Sequence, residues 1–190
     1  MNRLFVIAGH HIDAPGAMGY DGVSEHVRNV TLQRAILTKS QSLQMNAFII
    51  TDPIDATLRD VIHMVNEDAR KGDYLLDIHF NPNINATGTE VFVHPETSRK
   101  NKAIATDIVY ETSRMMSIPI RRATKRRDYK YPVESHVGRL AIIEDTVIPA
   151  ILWEVCFLNQ NDLTRLTTYT HNQLARMIPD IYMKQVKRMR

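Results

Sequence analysis

With 190 residues, 44% of them hydrophobic, the chain can bury one sizeable core and is too apolar for disorder. A net charge of +3 and a pI near 9.0 fall short of the basicity of a dedicated nucleic-acid binder and favour anionic partners only weakly. Cys156 is the single cysteine, which excludes an internal disulfide and suits a reducing compartment. No apolar stretch approaches the roughly 20 residues of a membrane span. Leu4 to Ala8 is too short for the core of a secretory signal, so a soluble protein, cytoplasmic as synthesised, is expected.

Leu4 to Ala8 reads as a buried strand, stopped by Gly9-His10. A polar loop spans His11 to Gly22, and Ser24 is placed to cap a helix running to about Gln44. Asn46 to Thr51 reads as a second strand, ended by Asp52-Pro53, and Ala56 to Lys71 as a helix ended by Gly72. Asp73 to Phe80 is a third strand, broken by Asn81-Pro82-Asn83. Thr87 to His94 alternates, with Val91 and Val93 on one side and Phe92 on the other. Ser98 caps a helix to about Met116, with Ile104, Ile108 and Met115 on one face. Pro119 to Pro132 is a basic loop and Ile148 to Val155 an apolar strand. Asn172 to about Arg188 is a terminal helix that turns Leu174, Ile178, Ile181 and Tyr182 to the core. This alternation predicts a single α/β domain with a mostly parallel sheet and helices on both faces.

Sites in open α/β sheets lie beyond the carboxyl ends of the strands. His10 follows directly on a strand and a glycine, so its imidazole is expected to leave the sheet edge; His11 is a rival for the same role. Glu25 lies in a first helical turn, where a carboxylate also complements the helix dipole. His79 ends the third strand, on the same side as Asp77, a candidate hydrogen-bond acceptor behind it; a satisfied core histidine is the competing account. Glu154 interrupts an apolar strand. A carboxylate there must be neutral, paired with an arginine or close to a metal, and burial raises its proton affinity toward that of a general base or acid. Two imidazoles and a carboxylate can hold zinc with an open position, leaving a second carboxylate for proton transfer, which points to metal-assisted hydrolysis.

On these residues the chain resembles the zinc-dependent N-acetylmuramoyl-L-alanine amidases, the cell-wall and phage-lysis amidases with a catalytic α/β domain. Ile7-Ala8-Gly9-His10 resembles the family's opening strand and Gly-His, and Ala14-Pro15-Gly16-Ala17 with Asp21-Gly22-Val23-Ser24-Glu25 its loop ending in Gly-x-x-Glu. Asp77-Ile78-His79-Phe80-Asn81 resembles Ser-Ile-His-x-Asn, and Gly88-Thr89-Glu90-Val91-Phe92-Val93 the next family strand. Pro149 to Asp162 resembles Pro-Ala-x-Leu-x-Glu with its following Phe-Leu and Asn-x-x-Asp. The motifs occur in family order over nearly the whole chain.

The resemblance implies that residues 1–190 form a zinc amidase catalytic domain, with His10, Glu25 and His79 holding Zn²⁺ and Glu154 as the catalytic carboxylate. The implied substrate is peptidoglycan, cut between N-acetylmuramic acid and L-alanine of the stem peptide. The implied biological role is that of a phage endolysin, reaching the wall after release from the cytoplasm. Three departures stand out: His11-Ile12 replaces a Gly-Gly, Asp77 replaces a serine, and Val61 stands where the family commonly has arginine. A zinc peptidase of wall peptides, or a non-catalytic wall-binding module, are the alternative classes.

The run from Arg121 to Lys130 reads as a solvated basic loop or a holder of anionic wall polymer, with no nucleic-acid motif beside it. Lys184, Lys187, Arg188 and Arg190 complement a helix dipole. Asn161-Asp162 reads as a helix start. His26, His63, His94, His136 and His171 are expected to be structural or on the surface.

Overall fold

The computed structural model describes residues 3–43, 49–51, 56–121, 134–135 and 139–187. In chain order they form β1 (Leu4–Ala8), α1 (Glu25–Ser42), β2 (Ile49–Thr51), α2 (Leu58–Asp68), β3 (Tyr74–Asn81), β4 (Glu90–Val93), α3 (Arg99–Met116), β5 (Glu134–Ser135), α4 (Ala141–Glu144), β6 (Ala150–Phe157), α5 (Gln160–Leu163) and α6 (Thr168–Lys187). The strands make one sheet in the order β2-β1-β3-β6-β4-β5. The first four are mutually parallel, β4 runs antiparallel to β6, and β5 pairs parallel with β4. The antiparallel strand has a simple cause. A parallel return needs a crossover of a dozen or more residues, and the short connection 82–89 cannot supply one.

Local chemistry sets the helix ends. Ser24 and Ser98 cap α1 and α3 with their hydroxyls, accepting from the Val27 and Asn101 amides. Thr57 and Asp60 form a reciprocal capping box, so α2 begins two residues inside the expected range. Helix α6 starts at Thr168, ahead of the expected Asn172, and carries Pro179 internally. Its predicted core residues Leu174, Ile178, Ile181 and Tyr182 are all buried. In α3 the buried residue of the last turn is Met116, and Met115 packs only at the margin of the core. Counting in steps of four from Ile104 through Ile108 and Thr112 reaches 116, which is the face the helix buries.

Side-chain alternation splits the core in two. Val6, Ile78, Phe80, Val91, Trp153 and Val155 pack on one face, beneath α1, α3 and α6. Phe5, Ile7, Leu75, Ala150 and Leu152 pack on the other, against residues of α2 and α4. The expected helices on both faces of a mostly parallel sheet are therefore present. The predicted strand residues 46–48 and nearly all of the basic run lie outside the described residues. No helix among the described residues is long and apolar enough to cross a membrane.

Behind the carboxyl ends of β3 and β6, Asp162 acts as a clamp. Its fully buried carboxylate accepts from the Thr87 hydroxyl, from the Gly88 amide at 2.9 Å and from the Phe157 amide at 3.0 Å, while Asn159 caps the short helix that carries it. The expected helix start at Asn161-Asp162 is thus borne out with a structural duty added. Replacing Asp162 by alanine strands two buried amides and is expected to cost roughly 3 kcal/mol, read from urea unfolding; a midpoint unchanged from the wild type would rule out the clamp.

Candidate active site

On the α2/α4 face the strands change character along their length. They are apolar at Leu75, Ala150 and Leu152 and turn ionisable toward the carboxyl edge, at Asp77, His79 and Glu154. The pairing registers put His79 of β3 opposite Glu154 of β6, and Glu154 opposite Glu90 of β4. Three chemically active side chains thus stand in a row across neighbouring strands. Sheet order, with β6 between β3 and β4, is what creates the row.

Glu25 enters from the first turn of α1. Its Oε1 lies 3.0 Å from His79 Nδ1 and accepts from the Phe80 amide at 3.1 Å; its Oε2 lies 3.0 Å from His10 Nε2. The two imidazoles approach edge to face with centroids 5.1 Å apart. One donor atom from each of His10, Glu25 and His79 falls within 4.8 Å of the others, a group that could hold a metal ion. His11 is not in this group. It forms a short backbone bridge with Ala14 and lines the neighbouring cavity. His10 instead takes a left-handed backbone conformation, φ 66°, which throws its ring toward Glu25.

Electrostatics follow the geometry. Burial alone would raise the proton affinity of Glu25, but the hydrogen bonds from His10 and His79 outweigh it and bring its pKa down to about 2. Burial opposes a charge on His79, yet the Asp77 carboxylate, 3.1 Å from Nε2, together with Glu25 lifts its pKa well above the ordinary histidine value. The acceptor behind His79 anticipated at Asp77 is in place. Glu154 behaves in the opposite sense to Glu25. Burial pushes its pKa up to about 8, with His79 opposing and the carboxylates of Glu25, Glu90 and Asp77 adding to the rise. Its Oε2 is shut off from solvent and has no hydrogen-bond partner among the described residues, so the competing account of a buried ion pair with arginine has no support among them.

Several residues outside the predicted ligand and catalytic set also shape the site. A Cβ on Gly9 would lie 2.2 Å from His79 Nε2, and one on Gly16 would lie 2.6 Å from Glu25 Oε2 and 2.7 Å from the His10 ring. Both glycines are therefore empty space that the site requires. Glu90 is buried; it accepts from Asn81 at 2.8 Å, and Arg121 Nε stands 3.8 Å from its other oxygen. Burial raises the Glu90 pKa, with Arg121 opposing. Arg121 is the one residue of the basic run among those described, and its guanidinium also lies over the Phe157 ring, 5.1 Å from the centroid. Of the remaining histidines, His26 is buried, His94 accepts from the Glu96 amide, and burial lowers the pKa of His171.

The whole architecture has close counterparts among solved structures. It is similar to the catalytic domain of CwlV, an N-acetylmuramoyl-L-alanine amidase from Bacillus (Paenibacillus) polymyxa var. colistinus, at 20% identity and TM-score 0.73, over 98% of this chain and 99% of that one. The CwlD amidase from Clostridioides difficile, solved with the GerS lipoprotein, matches at 17% identity and TM-score 0.73, over 98% and 99% of the two chains. The catalytic domain of the CD27L endolysin targeting Clostridia difficile matches at 20% identity and TM-score 0.69, over 97% and 98%. No significant match is found among curated protein sequences. The sequence profile described as N-acetylmuramoyl-L-alanine amidase matches residues 4–180, from the first strand to the middle of α6, and by that match the chain belongs to the N-acetylmuramoyl-L-alanine amidase family.

Proposed function

We propose that the protein hydrolyses peptidoglycan at the amide between the lactyl group of N-acetylmuramic acid and L-alanine of the stem peptide, with residues 1–190 acting as a zinc amidase catalytic domain. The observation that carries this reading is the convergence of His10, Glu25 and His79 beside an unpaired Glu154. Two imidazole nitrogens and a carboxylate oxygen suit zinc, which takes such donors and keeps a further position open for water or substrate. His10, Glu25 and His79 would hold the ion. When bound, zinc supplies a Lewis acid that polarises the scissile carbonyl and acidifies water.

The chain's own groups supply the rest. Asp77 accepts from His79 Nε2 and so leaves Nδ1 directed at Glu25 and the shared centre. Glu154, whose proton affinity burial raises, would act from its ionised form: the carboxylate accepts a proton from the attacking water and passes it to the leaving alanine nitrogen. Gly9 and Gly16 let both histidines close on Glu25.

Digestion of purified peptidoglycan, followed by mass spectrometry, tests the reading. Free stem peptides beginning at L-alanine are expected with zinc, lost after chelation and restored by adding the metal back. Fragments cut between amino acids would identify a wall peptidase instead, and an intact wall would identify a binding module. We extend the proposal to a phage endolysin, made in the cytoplasm and acting on the wall after release; the fold shared with the CD27L catalytic domain supports this role. Cells expressing the protein should then lyse only once their membrane is opened.

A further inference from the structure

Helix α6 packs against both α1 and α3, on the side of the sheet opposite α2 and α4, and residues of the three helices line a groove of about 310 Å³. None of its lining residues belongs to the metal group or to the Glu154 row. Met177, buried, and Met115, half-buried, join the groove to the core. The polar lining comes mostly from α6, at Tyr169, Asn172, Gln173, Arg176 and Asp180. These positions step along the helix by three or four residues and so share one face, over about 16 Å of its length.

Tyr169 is 72% exposed, and its phenol oxygen accepts from Gln173 Nε2 at 2.9 Å, which restrains the ring without burying it. Arg176 and Asp180 meet through one atom each, Nε to Oδ2 at 3.2 Å. The other guanidinium nitrogens and the second carboxylate oxygen have no partner among the described residues, and neither do the side chains of Asn172 and Lys39. The groove therefore combines an aromatic plane with free donors and free acceptors. A sugar ring has C–H groups on its faces and, around its edge, hydroxyls that both donate and accept; a tyrosine ring beside planar amide, guanidinium and carboxylate groups complements both. An amphipathic helix would need a broader apolar floor than two methionines, and a polyphosphate would be repelled by Asp180.

We propose that this groove is a second, non-catalytic saccharide site, which stacks an N-acetylated amino sugar of the wall's glycan strand on Tyr169 and hydrogen-bonds its hydroxyl and acetamido groups through Asn172, Gln173, Arg176 and Asp180. The identity of the polymer rests on the amidase reading. Because the groove and the His79/Glu154 row lie on opposite sides of the sheet, the strand held at α6 is a different stretch of wall from the one being cut. The contact keeps the domain on its insoluble substrate between cleavages, as a second binding event at high effective concentration.

The test is titration of tetra-N-acetylchitotetraose into the protein, with and without zinc, followed by amide chemical shifts. Shifts are expected at Tyr169 to Asp180 and their neighbours, with the same Kd in both metal states. Tyr169→Ala should weaken binding about 10-fold, and Tyr169→Phe, which keeps the ring, by less than about threefold. In Tyr169→Ala the ratio of intact-wall cleavage to cleavage of a soluble N-acetylmuramoyl-L-alanyl peptide should fall by about the same factor as the affinity. Absence of binding, shifts centred on His10 and His79, or equal affinity in Tyr169→Ala would overturn the saccharide site while leaving hydrolysis of the muramoyl–alanine bond intact. Binding at the groove by a protein that leaves the wall uncut would keep the site and sink the amidase reading instead.

Discussion

Glu154→Gln is expected to lower turnover of peptidoglycan by at least about 10³-fold while leaving zinc affinity within about twofold of the wild type. The amide side chain fills the same space and cannot carry the proton, whereas His10, Glu25 and His79 are untouched. Substantial residual activity would remove Glu154 from the chemistry. The same variant carries a second signature, in stability. Burial holds the Glu154 pKa at about 8 in the folded, metal-free protein against an ordinary 4.5. The folded state therefore favours the protonated form: its contribution is complete below pH 4.5 and is lost as pH rises through about 8. Above that value the native protein bears the cost of a buried carboxylate, and glutamine does not. Metal-free Glu154→Gln should match the wild type in acid and become more stable by a few kcal/mol at pH 9, since each tenfold change in proton affinity is worth about 1.4 kcal/mol. Thermal unfolding across that range measures it, and parallel curves would show that Glu154 is not held against its charge.

Gly9→Ala is the other large effect. Gly9 donates its amide to the Ile78 carbonyl at 3.0 Å, and its own carbonyl accepts from Asn29 at 2.8 Å, so the backbone is held from both sides. An added methyl enters the volume of the His79 imidazole, and the ring must swing away from Glu25. We expect zinc affinity to fall by about 10²-fold or more, activity to fall with it, and stability to drop by about 1–3 kcal/mol from overpacking. Competition with a chromophoric chelator reads the affinity, and circular dichroism confirms that the sheet survives. Wild-type affinity in this variant would mean that His79 does not need the position the structure gives it.

Both predictions depend on residues of different legibility. Glu154 was conspicuous in the sequence as a charge inside an apolar strand, and His10 and His79 as histidines where strands end. Gly9 could be read as a strand terminator, but the ring that lies over it comes from a residue 70 positions away. Gly16 and Glu90 were legible only as parts of a loop and of an alternating strand. Asp162 was visible as a helix start and hid its grip on Gly88 and Phe157.

By itself the sequence determined what short-range physics controls. Periodicities near two and near 3.6 residues separated strands from helices; hydroxyl caps at Ser24 and Ser98 set where α1 and α3 begin; alternation chose which side chains face inward. Tertiary structure decided everything that depends on which strands are neighbours. The short 82–89 link forces β4 to run antiparallel, β6 inserts between β3 and β4, and only then do His79, Glu154 and Glu90 stand in one row. The choice of His10 over His11 also waited on the fold, because it turns on a left-handed residue and on where Glu25 arrives from α1. Pairings between strands far apart in sequence are settled by packing and chain-closure geometry, and hydrophobic pattern is the same for many orders of the same strands.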